Sequence, residues 1–209
     1  MSNPPHLVLA SASPARRRTL AAAGIDVEVI VSGVDESTVD STSPQSLCLT
    51  LARMKAEAVA ARLRPVQAAR PDLPTLVLGC DSVLALDGQI LGKPADRADA
   101  VARWHRMRGR SGRLFTGHSL IHLGTGGTAE AVAVAKVSFA EITDAEVEAY
   151  VGTGEPLEVA GAFTIDGLGG AFVESIEGDP GTVIGVSLPL LRRMLHDLGV
   201  AITDLWTAN

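Results

Sequence analysis

The chain has 209 residues, 46% of them hydrophobic and only 3% aromatic, enough to bury an aliphatic core and too few to require two independent domains. A formal net charge of −6 disfavours a broad phosphate-neutralising surface, so no nucleic-acid partner is expected, while leaving room for a small anionic ligand. No apolar run approaches membrane-spanning length, Met1 to Ala12 lack the pattern of a signal peptide, and Cys48 and Cys80 have neither zinc nor disulfide spacing, so a soluble cytoplasmic protein without a membrane partner is expected.

Residues 6–10 are a short apolar run predicted as a strand. A helix follows, with Ser13 as N-cap, Pro14 as its first residue and Gly24 just past its end. Residues 25–31 read as a second strand and 32–44 as a polar loop. Leu47, Leu51, Met54, Ala58 and Leu63 recur at helical spacing between Pro44 and Pro65, which predicts an amphipathic helix over 44–64. Residues 75–79 have the look of a buried strand, 83–91 of a hairpin turning at Asp87-Gly88, and 95–107 of a helix. Residues 114–123 and 129–140 read as antiparallel strands joined through Gly124 to Gly127, and Thr143 with Glu146 three residues on has the spacing of a capping box. A glycine-rich stretch over 152–185 precedes a last helix at 188–198. Strands alternating with helices and then a β-meander predict an α/β fold, a mixed central sheet flanked by helices. It is expected as a single domain over 1–209, with two lobes around a central cleft as a variant.

Several clusters could carry chemistry. Ser11, Ser13 and Arg16 place hydroxyls, backbone N–H groups and a guanidinium at a helix start, a ready anion site; a capped helix with solvated arginines is the plainer alternative. Asp81 follows the strand over 75–79, where α/β folds place ligands and metals, although a turn aspartate bonding its own backbone would look the same. Asp35 and Glu36 in the polar loop could add hard oxygen ligands for Mg²⁺ or Mn²⁺. The lysines are few, Lys55, Lys93 and Lys136; Lys93 lies between Gly92 and Pro94, a fixed backbone that aims its side chain, and Lys55 could equally be an exposed helix residue. His118 reads as a structural histidine, and Arg103, Arg106, Arg108, Arg110 and Arg113 as a solvated face.

Taken in order, the stretches LASASPARR, VDES, LARMKA, GCDSVLALDGQILGKP, FTGHSL, GEPLEVAGAFTIDGLGG and GDPGTVIGVSLPLL resemble the Maf family of nucleotide pyrophosphatases over almost the whole chain. The resemblance implies a fold related to the inosine-triphosphatase type, often dimeric, and a metal-dependent enzyme releasing a nucleoside monophosphate and pyrophosphate from a non-standard or pyrimidine triphosphate. It assigns Asp81 as proton acceptor or metal-linked carboxylate, Glu36 and Asp35 as the acidic loop, and Ser11, Arg16, Lys55 and Lys93 as phosphate contacts. Family members acting on dTTP and UTP carry Arg and Gln at the positions of Ala15 and Asp166, and those acting on 7-methyl-GTP carry Trp and Glu. This chain has neither pair, so Asp166 is a substrate-binding candidate that leaves the base open.

The expected reaction is attack of water on the α phosphorus, with Asp81, Glu36 and Lys55 as the catalytic set and a divalent cation on Asp81, Glu36 and Asp35. A nucleotide-binding regulator of cell division or septum formation, without turnover, is the alternative.

Overall fold

The computed structural model describes residues 4–207. In chain order its main elements are β1 (His6–Leu9), α1 (Pro14–Ala22), β2 (Val27–Val29), α2 (Pro44–Ala69), β3 (Thr75–Leu86), β4 (Gln89–Leu91), α3 (Arg97–Met107), β5 (Ser111–His122), β6 (Thr128–Phe139), α4 (Asp144–Gly152), β7 (Val173–Glu177), α5 (Pro180–Ile184) and α6 (Leu188–Asp197). The strands form one mixed sheet in the order β2-β1-β3-β5-β6-β7, with β4 hydrogen-bonded to β3. This is the predicted α/β arrangement.

The register of β3 creates the cleft. Along one edge its first residues pair in parallel with β1 as far as Leu9↔Leu78, and its last pair antiparallel with β4 from Leu84↔Leu91. Between these partners the edge over 79–83 carries no strand, while on the other side β5 pairs throughout, from Leu76↔His122 to Ala85↔Arg113. Two large apolar clusters lie at the two ends of this open stretch. One gathers Leu9, Leu20, Leu78, Leu120 and Leu191; the other surrounds Trp104 with Leu84, Phe139, Tyr150 and Phe163.

Helix α2 lies against the opening from one face. A Cβ on Gly79 would run into the Ala52 carbonyl, and one on Gly117 into the backbone at Cys48, so β3 and β5 admit α2 to backbone contact only because both positions lack a side chain. Ala52 and Ala56 keep the helix side equally flat and are fully buried.

Much of the local chemistry behaves as predicted. Ser13 Oγ accepts from the Arg16 N–H, Thr143 and Glu146 form the capping box, and Asp87 (φ 51°) and Gly88 (φ 73°) make the tight hairpin turn. Most boundaries move by a few residues, and the larger departures have physical causes. The expected strand over 75–79 runs on to Leu86, because β5 supplies a partner all along it. Helix α2 passes through Pro65 to Ala69: Pro65 and Ala61 both face solvent, so the carbonyl that proline leaves without a donor is not sealed in the core. The buried Gln67 then ties its end to β3, accepting from Thr75 N–H (3.1 Å) and donating to the Arg70 carbonyl (3.1 Å). The second strand shrinks to Val27–Val29, and the glycine-rich stretch contains β7 and α5, which no periodicity announced.

His118 joins β5 to α6 as a structural group. It is fully buried; its Nδ1–H donates to the Thr116 carbonyl (3.0 Å) and its Nε2 accepts from the Ser187 N–H (2.9 Å). Burial pushes its pKa down from 6.5 to about 4. Below the upper value the unfolded chain binds a proton that the folded chain refuses until the lower one, so stability falls with pH across that window, by roughly 3 kcal/mol at its acid end. Thermal midpoints measured through this range should decline on acidification, and His118→Gln, which can keep both bonds, should flatten the decline; an unaltered slope in the variant rejects the assignment. At the helix contact, Gly79→Ala should lower stability by about 1 to 3 kcal/mol through overpacking, read from the urea midpoint. A wild-type midpoint would mean that α2 has room to spare.

Candidate active site

Asp81 lies inside β3, on the face covered by α2, and is 7% exposed. Its Oδ1 accepts from Lys55 Nζ at 2.6 Å, and the same ammonium meets Glu36 Oε1 at 2.7 Å. Lys55 is itself buried on α2, in line with Leu51, Ala52, Ala56 and Val59, which rules out the exposed-helix alternative. Glu36 arrives from a short 3-10 turn, Glu36–Thr38, in the polar loop, and Arg62 anchors that loop to α2 through the Val31 (2.9 Å) and Ser32 carbonyls. Burial pushes the Asp81 carboxyl above its ordinary value, against the opposing pull of Lys55 and Arg16. Its Oδ2 has no hydrogen-bond partner among the described residues.

Arg16 approaches from the first turns of α1. Its Nη1 donates to Ser11 Oγ (3.0 Å), Nη2 to Ser82 Oγ (3.2 Å) and Nε to the Gly185 carbonyl (2.9 Å). Ser82 Oγ lies 2.8 Å from Thr116 Oγ1, which donates to the Thr182 carbonyl at 2.7 Å. All three acceptors of the guanidinium are neutral. Arg53, Arg97, Arg103, Arg108 and Arg110, by contrast, each meet a carboxylate at 2.6 to 2.9 Å. Arg16 is therefore a half-buried cation that hydrogen-bonds no carboxylate among the described residues, held rigidly beside Asp81 and within reach of its field.

The structure thus gathers Asp81, Lys55, Glu36, Ser11 and Arg16. Ser13 is spent on its cap, although its N–H also donates to Ser11 Oγ at 3.2 Å. Asp35 does not join the carboxylates: its Oδ1 caps the 3-10 turn, accepting from Ser37 N–H (3.0 Å) and Oγ–H (2.7 Å). Lys93 is exposed, two residues beyond β4, on the segment that leaves β3 beside the open edge, and its ammonium has no partner among the described residues. Asp166 lies apart, with Oδ2 on Arg18 Nη2 at 2.9 Å. Ser82 and Thr116 were not anticipated; the alternation of β3 about Asp81 was the available signal, since it turns Ser82 to the face that Arg16 reaches.

The donor set bears on a metal in one respect. Among the described residues no group of three or more His, Cys, Asp or Glu is arranged to hold an ion. Asp81 and Glu36 nonetheless converge on the single point occupied by Lys55 Nζ, and Oδ2 of Asp81 is open. The ammonium fills that point, so a hard cation would have to use the remaining oxygens, Oδ2 of Asp81 and Oε2 of Glu36, and take its other ligands from water and substrate phosphates. Asp35 does not fit that role. A groove of about 660 Å³ between β6 and α6, edged by Glu130, Arg192 and Arg193, contains none of these residues.

Among the described residues no helix is long and apolar enough to cross a membrane. Comparison with known proteins gives a consistent picture. The family model for Maf-like proteins matches residues 6–198. A protein of Salinispora tropica named nucleoside triphosphate pyrophosphatase is 65% identical over 206 residues, spanning 99% of this chain and 89% of its own length. Proteins of the same name are 55% identical in Streptomyces avermitilis (96% of this chain, 94% of their own) and 54% identical in Cyanothece sp. (95% and 98%). With the family model covering β1 through α6 and relatives this similar end to end, the chain belongs to the family of Maf-like proteins.

Proposed function

We propose that this chain is a nucleoside triphosphate pyrophosphatase, cleaving between the α and β phosphates to give a nucleoside monophosphate and pyrophosphate. The observation that carries the reading is an Arg16 guanidinium whose hydrogen bonds all go to neutral acceptors, beside a buried carboxylate with one free oxygen. An anion completes the first, and a water molecule can be deprotonated by the second. The names of the close relatives support the same activity.

In this mechanism Arg16 and Ser11 bind the triphosphate, with Lys93 closing on it from the other side of the open edge. Asp81 Oδ2 takes the proton as the water oxygen bonds to the α phosphorus, and the bond from that phosphorus to the bridging oxygen breaks. Lys55 fixes the carboxylate through Oδ1, which leaves Oδ2 as its basic atom. A divalent cation, Mg²⁺ or Mn²⁺, held by Asp81 and Glu36 would lower the pKa of the water and offset charge on the leaving pyrophosphate. The substrate class we propose is a non-standard or pyrimidine nucleoside triphosphate, in keeping with the motif resemblance; kcat/KM across standard, methylated and deaminated triphosphates tests it.

Asp81→Asn keeps shape and removes the base, so pyrophosphate release with Mg²⁺ present should drop by orders of magnitude while thermal unfolding stays cooperative. Near-normal release would sink the mechanism, and a wild-type chain that binds triphosphate without releasing pyrophosphate would instead favour a non-hydrolytic regulator. Arg16→Ala should raise KM, a loss of about 1.5 to 3 kcal/mol for a charged hydrogen bond. Unchanged steady-state constants would remove Arg16 from the site.

A further inference from the structure

Thr116 is fully buried on β5, too deep to meet a substrate, yet it stands behind the guanidinium of Arg16. Across the sheet it pairs with Ser82 on β3, and their hydroxyl oxygens lie 2.8 Å apart. The proton directions in this pair follow from its neighbours. A carbonyl only accepts, so the single Thr116 hydroxyl proton goes to the Thr182 carbonyl at 2.7 Å, and the Ser82 proton then goes to Thr116. A guanidinium only donates, so Ser82 Oγ accepts from Arg16 Nη2 at 3.2 Å. The chain of bonds therefore runs one way, from Arg16 through Ser82 and Thr116 to α5.

Thr116 reaches Arg16 by a second route as well. Thr182 lies in α5, and Gly185 caps the end of that helix. The Gly185 carbonyl accepts from Arg16 Nε at 2.9 Å, and a Cβ on this residue would come within 2.8 Å of the same nitrogen. The helix end is thus fitted against the guanidinium, and Thr116 ties that helix to β5 through Thr182. Of the acceptors that hold Arg16, Ser82 and Gly185 both depend on Thr116, and Ser11 lies just ahead of α1. Among the described residues Nη1 and Nη2 each spend one proton on these contacts and keep the other, which leaves the paired N–H groups that a phosphate takes in a bidentate contact.

We infer that Thr116 is a positioning residue for the triphosphate, aiming the free N–H groups of Arg16 by fixing Ser82 and the end of α5. The inference rests on the pyrophosphatase reading and deepens it: Arg16 binds the phosphate, and Thr116 sets how it is presented. Thr116 shares the sheet face of Ser82, the one turned away from Asp81, so its loss should appear in KM and leave kcat nearly alone.

The test uses the full chain, with Thr116→Val, Thr116→Ser, Arg16→Ala and the double variant Thr116→Val/Arg16→Ala. Thr116→Val keeps the shape and removes the hydroxyl; it should raise KM for a hydrolysed triphosphate about tenfold, the change that one hydrogen bond gives, with kcat within about twofold. Thr116→Ser keeps the hydroxyl and should leave both constants within about twofold of wild type. The double variant should be no worse than Arg16→Ala alone, because both changes act through one contact. Exchange of the Arg16 Nε proton, followed by NMR without nucleotide, should quicken in Thr116→Val and not in Thr116→Ser. Additive KM effects, a KM that Thr116→Ser fails to restore, a fall in kcat with KM unchanged, or unaltered exchange would each overturn the inference. Should Thr116→Val fail to fold, Ser82→Ala breaks the same chain one bond nearer the arginine, and a wild-type KM and exchange rate in that variant would overturn it equally. A wild-type chain that releases no pyrophosphate would overturn the reading beneath it, an outcome visible before any variant is compared.

Discussion

The backbone contact between α2 and the two central strands is the constraint on which the site depends. Gly79 and Gly117 leave no side chain between sheet and helix, and Ala52 and Ala56 leave almost none on the other side. Lys55 lies between those alanines on α2, so the close approach that packs them also delivers its ammonium onto Asp81 at 2.6 Å. At an ordinary helix-to-sheet spacing the same lysine would stand off by the depth of a side-chain layer. Asp81 would then lose its hydrogen-bonded counter-charge and keep only the weaker pull of Arg16, a costly arrangement for a buried carboxylate.

The open edge of β3 explains how two groups of opposite sign can serve one site without cancelling. Asp81 and Ser82 are neighbours in sequence and point to opposite faces, one toward Lys55 and the other toward Arg16. In a strand paired on both edges these faces would not communicate. Because β1 stops opposite Leu78 and β4 begins opposite Leu84, both faces open onto the same gap. Arg16 is near enough to draw the Asp81 carboxyl down, though less strongly than Lys55, and its hydrogen bonds go to Ser11, Ser82 and Gly185 instead.

What the sequence disclosed was whatever local chemistry determines. The Ser13-Pro14 helix start, the Asp87-Gly88 turn and the Thr143/Glu146 box depend on residues within a few positions of one another, and each formed as read. The continuation of β3 through Asp81 depends on β5, more than thirty residues away in the chain, and nothing around Asp81 announces that partner. For the same reason the residues around Lys55 left an exposed helix position open as an alternative: its two carboxylates come from a loop before the helix and a strand after it. Asp35 and Glu36 read alike as metal ligands in an acidic loop, with Glu36 also in the catalytic set, and the 3-10 turn separates them by making one a cap and leaving the other free to reach Lys55. Strand β7 carries two glutamates and lies at the sheet edge, so no apolar run marked it.

Two anion-holding devices in this fold differ in one respect that bears on function. Around Glu155 the donors of a glycine-rich turn close on a carboxylate supplied by the chain, and the site is complete. At the start of α1 the donors are equally well placed, but every acceptor the chain offers Arg16 is a hydroxyl or a carbonyl. A protein with 24 acidic residues, which pairs Arg53, Arg97, Arg103, Arg108 and Arg110 with carboxylates, has the means to neutralise one more arginine. Leaving Arg16 without a direct ion pair sacrifices the stability such a pair would add and keeps its N–H groups available to a phosphate. The omission of a carboxylate there, as much as the presence of Asp81, is what makes this end of the sheet suited to a triphosphate.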